Sequence, residues 1–334
     1  MSTNNQDPIC TVDPYQYTQI KLNSDGTVTR SLQIPSIPAT PDPASPSLVL
    51  SDDFPLNKTH KTFLRVFIPK MVMPSKDKLP IIVYCHGGGF VLSHVDSNFS
   101  HEFCEALASH VPAIVVSVEY RLAPEHRLPA AYEDVVHALQ WIRDVSINQK
   151  CEWLSKNGDF DNCFLMGSSA GGNIAYHAAA RAMDIVNDLH PLRLKGLILH
   201  QPFFGGSKRT GSEIRFINDP YLPLSGSDLF WELGLPVGAD RDHEFCNPLV
   251  GDATGWFKRL KESGWRVLVT GCGGDPLIDR LIEFAARLSE NGVSVKEYFT
   301  DGDHHGVELV GSDPSKQESL TVVVQEFVKS CMNA

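Results

Sequence analysis

The sequence of 334 residues has no C-x-x-C cysteine pair, no extended run of lysine and arginine, and no stretch of 18 apolar residues. The first absence argues against zinc ribbons and thioredoxin-like redox sites. The second argues against a basic tail that binds nucleic acid, and the third against a membrane-spanning helix. Because H-E-x-x-H and similar ligand spacings are also missing, we expect no metal site.

Acidic residues outnumber basic ones by 40 to 29, and a net charge of −11 disfavours nucleic acids and anionic membranes as partners. The eight cysteines are scattered, and several lie in apolar, strand-like runs, where a reduced cysteine behaves as a small hydrophobe. These are Cys85, Cys163 and Cys272. The first residues lack the basic and apolar regions of a signal peptide. We therefore expect a cytoplasmic protein in a reducing compartment.

Short apolar runs alternate with longer helical patterns along most of the chain. This alternation predicts an α/β protein with a doubly wound, mostly parallel sheet. Because α/β proteins of this length often fold as one unit, we expect residues 1–334 to form a single domain. The predicted strands are residues 62–68, 80–86, 113–118, 163–167, 194–200, 266–271 and 294–299, and the predicted helices include residues 130–145, 171–186 and 279–292.

Two segments interrupt this alternation. Residues 203–250 are rich in glycine, proline and aromatic residues, with a short helical pattern at 227–235. With residues 1–45 they are predicted to form a small helical cap over the carboxyl ends of the strands, where α/β sheets bind ligands. The alternative is a surface excursion. Residues 33–56 are dense in proline and serine and are predicted to be an extended surface connection.

The stretch FLMGSSAGGN, residues 164–173, contains a G-x-S-x-G motif centred on Ser169. The motif alone arises by chance in about one chain of this length in ten, so its context must decide. It follows a predicted strand and precedes a predicted helix, the context in which a nucleophilic serine sits on a strained turn. We predict that Ser169 is the nucleophile; Ser168, outside the central position, is the weaker candidate.

A second glycine-rich motif, HGGGF at residues 86–90, directly follows a predicted strand. Three consecutive glycines cost conformational entropy, which a close approach of a ligand to bare backbone N–H groups would justify. A phosphate-binding loop is the competing interpretation, but the G-K-[ST] and G-x-G-x-x-G patterns are absent. We predict Gly88 and Gly89 as oxyanion donors, with the N–H of Ala170 at the helix start as the third. Gly87 is predicted to shape the turn.

An acyl-transfer site also needs a histidine base and a carboxylate, in the chain order Ser, Asp, His. Asp275 follows the predicted strand 266–271, and His305 follows the strand 294–299. One helix and one strand fit between them. Asp279 and His304 are their rivals, and a helix-capping role is the alternative for both aspartates.

Together, HGGGF, EYRLAPEHRLPAAYED (119–134), GSSAGGN, GDPLID and HHG resemble the plant carboxylesterases of the hormone-sensitive-lipase-like group within the α/β-hydrolase fold. The resemblance runs from about residue 60 to the C-terminus, and residues 13–30 are similar to the N-terminal segment of the plant members. It implies hydrolysis of small carboxylic esters through an acyl-serine intermediate, with no cofactor.

The resemblance implies roles for individual residues. Ser169 would be the nucleophile, His305 the general base and Asp275 its orienting acid; Gly88, Gly89 and Ala170 would form the oxyanion hole. One departure is Ser168, where many relatives carry Asp or Glu. We expect it to change the local polarity without removing activity.

Two alternatives on the same fold stay open. One is a non-hydrolytic small-molecule binder like the gibberellin receptor, which has lost the catalytic histidine; the presence of His305 favours an enzyme. The other is a dehydratase or cyclase of specialised metabolism. The pocket is expected to be apolar, with candidate lining residues Phe203, Phe204, Phe216, Tyr221, Leu222, Phe230 and Trp231; packing of the cap onto the sheet is the alternative for each of them. Arg121, Glu125 and Arg127 are expected to form a structural ion-pair network beneath the site, with direct substrate contact as the alternative.

Overall fold

The computed structural model describes residues 9–72, 78–311 and 313–333, so residues 1–8 of the predicted cap lie outside the described part. A short antiparallel hairpin joins β1 (Ile20–Leu22) to β2 (Val28–Arg30). The strands of the main sheet are β3 (Val49–Asn57), β4 (Thr62–Pro69), β5 (Leu79–Cys85), β6 (Ile114–Val118), β7 (Gly158–Ser168), β8 (Leu194–His200), β9 (Arg266–Cys272) and β10 (Ser294–Thr300). Their spatial order is β10-β9-β8-β7-β5-β6-β4-β3.

Helices cover both faces of this sheet. They are α1 (Pro14–Thr18), α2 (Asn98–His110), α3 (Ala130–Asn148), α4 (Glu152–Asn157), α5 (Ala170–Asp184), α6 (Gly211–Arg215), α7 (Leu224–Gly234), α8 (Ala253–Ser263), α9 (Ile278–Glu290), α10 (Val307–Val310) and α11 (Pro314–Met332), with a 3-10 turn at Lys70–Val72. None of the described helices combines the length and the apolar character needed to cross a bilayer.

The six strands β5 to β10 are parallel to one another, whereas β4 is antiparallel to both of its neighbours, β6 and β3. All of β5 is buried, and its side chains alternate between two cores. Ile81 and Val83 pack in the core that contains α3, α5 and α9, while Ile82 and Tyr84 pack in the core of α2 and α11. Burial on both faces explains the uninterrupted apolar runs. The predicted doubly wound, mostly parallel sheet is confirmed.

All seven predicted strands are present, but the prediction for residues 33–56 was wrong at its end. There, β3 forms the edge of the sheet and pairs with β4. The sequence VLSDDFPLN hides this strand because Asp and Pro are depleted in strands. Both are tolerated here because an edge strand has one unpaired side, where charge also prevents edge-to-edge association.

The N-terminal segment contacts the insertion between β8 and α8. The Thr11 N–H donates to the Asn218 side-chain carbonyl at 2.7 Å. The Tyr17 hydroxyl donates to the Tyr221 carbonyl, and the Tyr17 ring lies against Gly226 in α7. Two segments about 200 residues apart in sequence therefore meet on one side of the sheet.

Two glycines let α5 approach the sheet closely. A Cβ at Gly167, the penultimate residue of β7, would overlap the backbone of Gly171 in α5. A Cβ at Gly171 would overlap the backbone carbonyl of Cys85 at the end of β5. The backbones of β5, β7 and α5 thus touch without intervening side chains, which fixes where α5 begins.

We expect Gly171→Ala to lower the free energy of unfolding by at least about 2 kcal/mol, because the overlapping atom is backbone and cannot move aside. Urea denaturation followed by circular dichroism measures this. The control is Gly238→Ala: its φ of 85° is unfavourable for alanine, but its surroundings are open. It should cost only about 1 kcal/mol. Equal effects of the two substitutions would contradict the close-approach argument.

Candidate active site

Ser169 lies at the tip of a sharp turn between β7 and α5. Its φ of 55° and ψ of −120° are costly for a residue with a side chain, by about 1–3 kcal/mol. Two backbone hydrogen bonds hold this conformation: the Ser169 N–H donates to the His200 carbonyl at 2.9 Å, and its carbonyl accepts from Phe203 N–H at 2.8 Å. The side chain is half-buried, whereas the neighbouring Ser168 and Ala170 are buried.

His305, in the loop between β10 and α10, lies within hydrogen-bonding distance of Ser169. Its Nε2 is 2.8 Å from the Ser169 Oγ, and its Nδ1 is 2.7 Å from Oδ2 of the fully buried Asp275. The other carboxylate oxygen of Asp275 accepts from the Leu277 N–H at 2.9 Å. A carboxylate at Nδ1 favours the tautomer with its proton there, leaving Nε2 free to accept the serine proton.

The environment of His305 sets its protonation. Burial on its own would lower the pKa of the imidazole, but the charge and hydrogen bond of Asp275, with smaller contributions from Glu308 and Asp219, outweigh it. The pKa of His305 is therefore raised above its ordinary value. A base with a raised pKa accepts a proton more readily, and the buried carboxylate stabilises the imidazolium that results.

The rival candidates have other contacts. The Ser168 Oγ accepts a hydrogen bond from Tyr84 at 3.0 Å in the buried core. The Asp279 carboxylate accepts from the Ser212 N–H at 2.7 Å, at the start of α6. The His304 ring stacks on the pocket residue Tyr221, with ring centroids 3.4 Å apart.

Three backbone N–H groups are candidates for an oxyanion hole: Gly88 and Gly89 line the same cavity as Ser169, and Ala170 is the next residue of the chain. Gly88 and Gly89 have φ values of 108° and 62°, and a Cβ would overlap the Leu92 carbonyl at the first and the Phe230 ring at the second. Ala170 begins α5. Within the described ranges, the N–H groups of Gly88, Gly89 and Ala170 have no hydrogen-bond acceptor. Free donors beside a candidate nucleophile are suited to binding a developing oxyanion.

The buried Tyr120 contacts the first residues of the glycine-rich loop 86–90 and holds them in place. The Tyr120 hydroxyl donates to the His86 carbonyl at 2.8 Å, and its ring stacks on the His86 imidazole at 4.2 Å. His86 Nδ1 is also 2.8 Å from the Gly87 carbonyl. These contacts hold the loop at His86 and Gly87, and the role of Gly87 in shaping the turn stays a prediction.

A cavity of about 200 Å³ opens over Ser169. Four of the predicted lining residues contact it: Phe203, Tyr221, Leu222 and Phe230. The other three candidates pack elsewhere, which was the alternative for each. Phe204 packs on Tyr176 and Phe284, Trp231 stacks on Phe203, and Phe216 packs against Arg215.

Several lining residues were missed from sequence. They are Tyr17, Leu92, Phe99, Ser100, Leu309 and Val310. Two signals could have found the aliphatic ones, because Leu92 follows the HGGG loop and Leu309 and Val310 follow His305. Tyr17 gives no such local signal, since it reaches the cavity only through the fold.

The segment 119–134 does not form the single ion-pair network that we expected. Arg121 pairs with Asp134 at 2.9 Å, and Glu125 pairs instead with Arg30 at 2.7 Å. Arg127 donates to the Leu235 carbonyl at 2.7 Å, at the end of α7. The three side chains thus link this segment separately to α3, to β2 and to the insertion.

Comparison with known proteins identifies the family. A model described as the α/β-hydrolase fold matches residues 82–309. Carboxylesterase 20 of Arabidopsis thaliana is 46% identical over 331 residues, which cover 98% of this chain and 99% of that protein. This chain belongs to the hormone-sensitive-lipase-like plant carboxylesterases of the α/β-hydrolase fold.

Three further matches extend the comparison. A 3-O-acetylpapaveroxine carboxylesterase of Papaver somniferum is 44% identical, over 95% of this chain and 99% of that protein. A 2-hydroxyisoflavanone dehydratase of Glycyrrhiza echinata is 32% identical, over 92% and 94%. Among solved structures, an esterase of Pyrobaculum calidifontis superposes with a TM-score of 0.69 at 27% identity, covering 86% of each chain.

The raised pKa of His305 predicts the pH dependence of Ser169 reactivity. The imidazole must be neutral to accept the serine proton, so labelling of this carboxylesterase by a fluorophosphonate should fall as pH drops through a value above about 6.5. Asp275→Asn removes the main cause of the raised pKa. We expect the acid limb to move below about 6.5, and the plateau rate to fall roughly 10⁴-fold.

The measurement is the second-order rate of Ser169 modification between pH 5 and 9, with the labelled peptide mapped. Asp279→Asn is the matched control, since that carboxylate contacts Ser212 instead; it should leave the acid limb unchanged. An unchanged acid limb in Asp275→Asn would contradict the assignment.

Proposed function

We propose that this chain is a serine carboxylesterase that hydrolyses small carboxylic esters through an acyl-serine intermediate on Ser169. The observation that carries the proposal is the pair of contacts of His305: 2.8 Å to the Ser169 Oγ and 2.7 Å to the Asp275 carboxylate. The carboxylesterases among its relatives support the reaction class.

In the first step, the Ser169 Oγ attacks the ester carbonyl while His305 Nε2 takes its proton. Asp275 keeps the imidazole oriented and stabilises its positive charge. The carbonyl oxygen becomes an oxyanion and accepts hydrogen bonds from the N–H groups of Gly88, Gly89 and Ala170. Loss of one such donor typically costs about 3 kcal/mol of transition-state stabilisation.

The tetrahedral intermediate then collapses, and His305 returns the proton to the leaving alcohol. The acyl group stays on Ser169 as an ester. A water molecule, deprotonated by the same imidazole, attacks this acyl-serine, and the carboxylic acid leaves as the serine regains its proton. One histidine therefore serves both half-reactions, and in each of them it acts first as a base and then as an acid.

The lining of the cavity indicates the substrate class. Aromatic and aliphatic side chains dominate it, and 200 Å³ lies below the range of about 300–1,000 Å³ for drug-sized ligands. We propose small, apolar ester groups as substrates. We also propose that residues up to about 45 and residues 203–250 form the cap of a single domain, since Tyr17, Tyr221 and Leu222 line this cavity.

We place the enzyme in the cytoplasm. Its eight cysteines are all unbridged, and seven of them are buried. Buried thiols without disulfides suit a reducing compartment. We propose no nucleic-acid or membrane partner, in keeping with the net charge of −11.

Ser169→Ala should abolish ester hydrolysis, with kcat falling by roughly 10⁶ because the acyl-enzyme route is lost. The assay is release of p-nitrophenol from p-nitrophenyl acetate. Ser168→Ala is the matched control: it removes the neighbouring hydroxyl, which bonds to Tyr84 instead. It should keep kcat within about tenfold, since no proton transfer passes through it. Hydrolysis by Ser169→Ala at the wild-type rate would contradict the proposal.

Leu222→Ala should shift the acyl preference towards longer chains, because Leu222 lines the cavity and its truncation adds space. We expect kcat/KM for p-nitrophenyl octanoate relative to acetate to rise about 15- to 60-fold, since two to three extra methylenes contribute about 0.8 kcal/mol each when buried. A series of p-nitrophenyl esters measures this ratio. Leu235→Ala truncates a buried leucine of the same segment that does not contact the cavity. A similar shift in both variants would contradict the cavity's role.

A dehydratase is the second candidate, because a 2-hydroxyisoflavanone dehydratase is a relative of 32% identity. The base and the oxyanion donors suited to ester cleavage can also remove a proton beside a carbonyl. Product analysis separates the two reactions. Hydrolysis of an ester in H₂¹⁸O puts ¹⁸O into the acid, whereas elimination releases water from the substrate.

A further inference from the structure

Gln201, the first residue after β8, occupies an unusual place between the loops of the site. It is 1% exposed, and its φ of 44° lies in the left-handed region, which costs free energy for any residue but glycine. An amide side chain buried in a strained backbone must have its hydrogen bonds satisfied by specific partners. Those partners all belong to the candidate active site or to the strands that carry it.

The backbone around Gln201 connects β9 to the nucleophile turn. The Gln201 N–H donates to the Thr270 carbonyl in β9 at 3.0 Å. The carbonyl of the preceding residue, His200, accepts from Ser169 N–H at 2.9 Å. The main chain at 200–201 therefore sets the distance between the turn that carries Ser169 and the strand that precedes Asp275.

The side chain of Gln201 reaches the third loop. Its Oε1 accepts a hydrogen bond from the Gly306 N–H at 2.6 Å. Its Nε2 donates to the Glu308 carboxylate at 3.3 Å. The residue thus contacts the chain on the C-terminal side of His305, at one and at three residues beyond it.

The Glu308 carboxylate, which Gln201 contacts, also lies beside the buried His200. Nε2 of the buried His200 lies 3.3 Å from Glu308 Oε2, without hydrogen-bond alignment, and His200 Nδ1 is 2.7 Å from the Thr270 Oγ1. Burial would raise the pKa of Glu308, but contact with His200 outweighs it and lowers the pKa. Glu308 is therefore a carboxylate at neutral pH and a fixed acceptor for the Gln201 amide.

We propose that Gln201 is a positioning residue that holds the His305 imidazole in register with Ser169 through its hydrogen bond to Gly306. This inference rests on the proposed hydrolysis at Ser169. The Gly274 N–H donates to the Gly302 carbonyl at 2.9 Å, which holds the loop on the N-terminal side of His305. Gln201 contacts the opposite side, so the imidazole is held from both directions.

The sensitivity of proton transfer to geometry makes this contact consequential. The Ser169–His305 distance of 2.8 Å is already at hydrogen-bonding length, and a displacement of about 1 Å can cost 10²-fold in rate. Loss of the Gln201 Oε1 acceptor would also leave the Gly306 N–H unpaired, which favours movement of the loop towards another hydrogen-bond partner.

The first test is Gln201→Met, which keeps the length of the side chain and removes both polar groups. We expect kcat for p-nitrophenyl acetate to fall about 10²-fold, with KM changed less than about threefold. Gln325→Met is the matched control: its amide donates to the carbonyl of His110, the last residue of α2, at 2.7 Å. Unchanged kcat in a folded Gln201→Met protein overturns the proposal.

The second test combines Gln201→Met with His305→Ala. If Gln201 acts through His305, its replacement has no further effect on the residual activity once the imidazole is gone. A structural disturbance of the whole site would lower the activity equally in both backgrounds. An equal loss in the two backgrounds therefore overturns the proposal.

A third test does not depend on the folding of Gln201→Met. Gln201→Glu keeps an acceptor for Gly306 but opposes Glu308 with a second carboxylate, so kcat should fall. Adding Glu308→Gln exchanges the two groups, restores the donor–acceptor pair and should recover most of kcat. A single variant with full kcat, or a double variant without recovery, overturns the proposal.

Different results would contradict the proposed hydrolysis at Ser169 and the proposed role of Gln201. If the proposed hydrolysis at Ser169 is wrong, Ser169→Ala keeps the esterase activity. If only the role of Gln201 is wrong, Ser169→Ala is inactive while Gln201→Met retains the wild-type kcat.

Discussion

The backbone contact between α5 and the ends of β5 and β7 is the constraint on which the site depends. Because Gly167 and Gly171 carry no Cβ, the helix starts directly above the sheet, and the connection has room for only one residue. That residue is Ser169, and its φ of 55° is the result of the short connection. The same closeness brings the start of α5 against the chain that follows β5, because Gly171 lies against the carbonyls of Cys85 and His86.

Burial and charge determine how the other two side chains, Asp275 and His305, pair. Asp275 is fully buried, so its carboxylate has few partners to choose from: a backbone N–H and the imidazole of His305. A buried charge without such partners would be costly. The pairing that satisfies the carboxylate also orients the base, which means that the stability of this loop and its proposed chemistry rest on the same hydrogen bond.

The sequence predicted those parts of the site that are marked by short, contiguous sequence motifs. Gly88 and Ser169 lie in motifs that directly follow apolar strands, and a parallel sheet brings such strand ends to one edge. The edge strand β3 was missed because Asp and Pro conceal strand periodicity. Tyr17 was missed as a lining residue because its position depends on contacts between segments about 200 residues apart, which no local pattern encodes.

The successes at the strand ends and the failures among the lining residues follow from the difference between the parallel strands and the insertion. Strand ends are fixed by backbone hydrogen bonds, so the order of motifs along the chain determines which groups meet. In the insertion, Phe203 lines the cavity while Phe204, the next residue, packs against α5 and α9. Composition cannot separate two adjacent phenylalanines, because a small difference in side-chain direction decides between cavity and core. The local motifs therefore predict the proposed chemistry, whereas the proposed substrate preference depends on how the N-terminal segment and the insertion pack together.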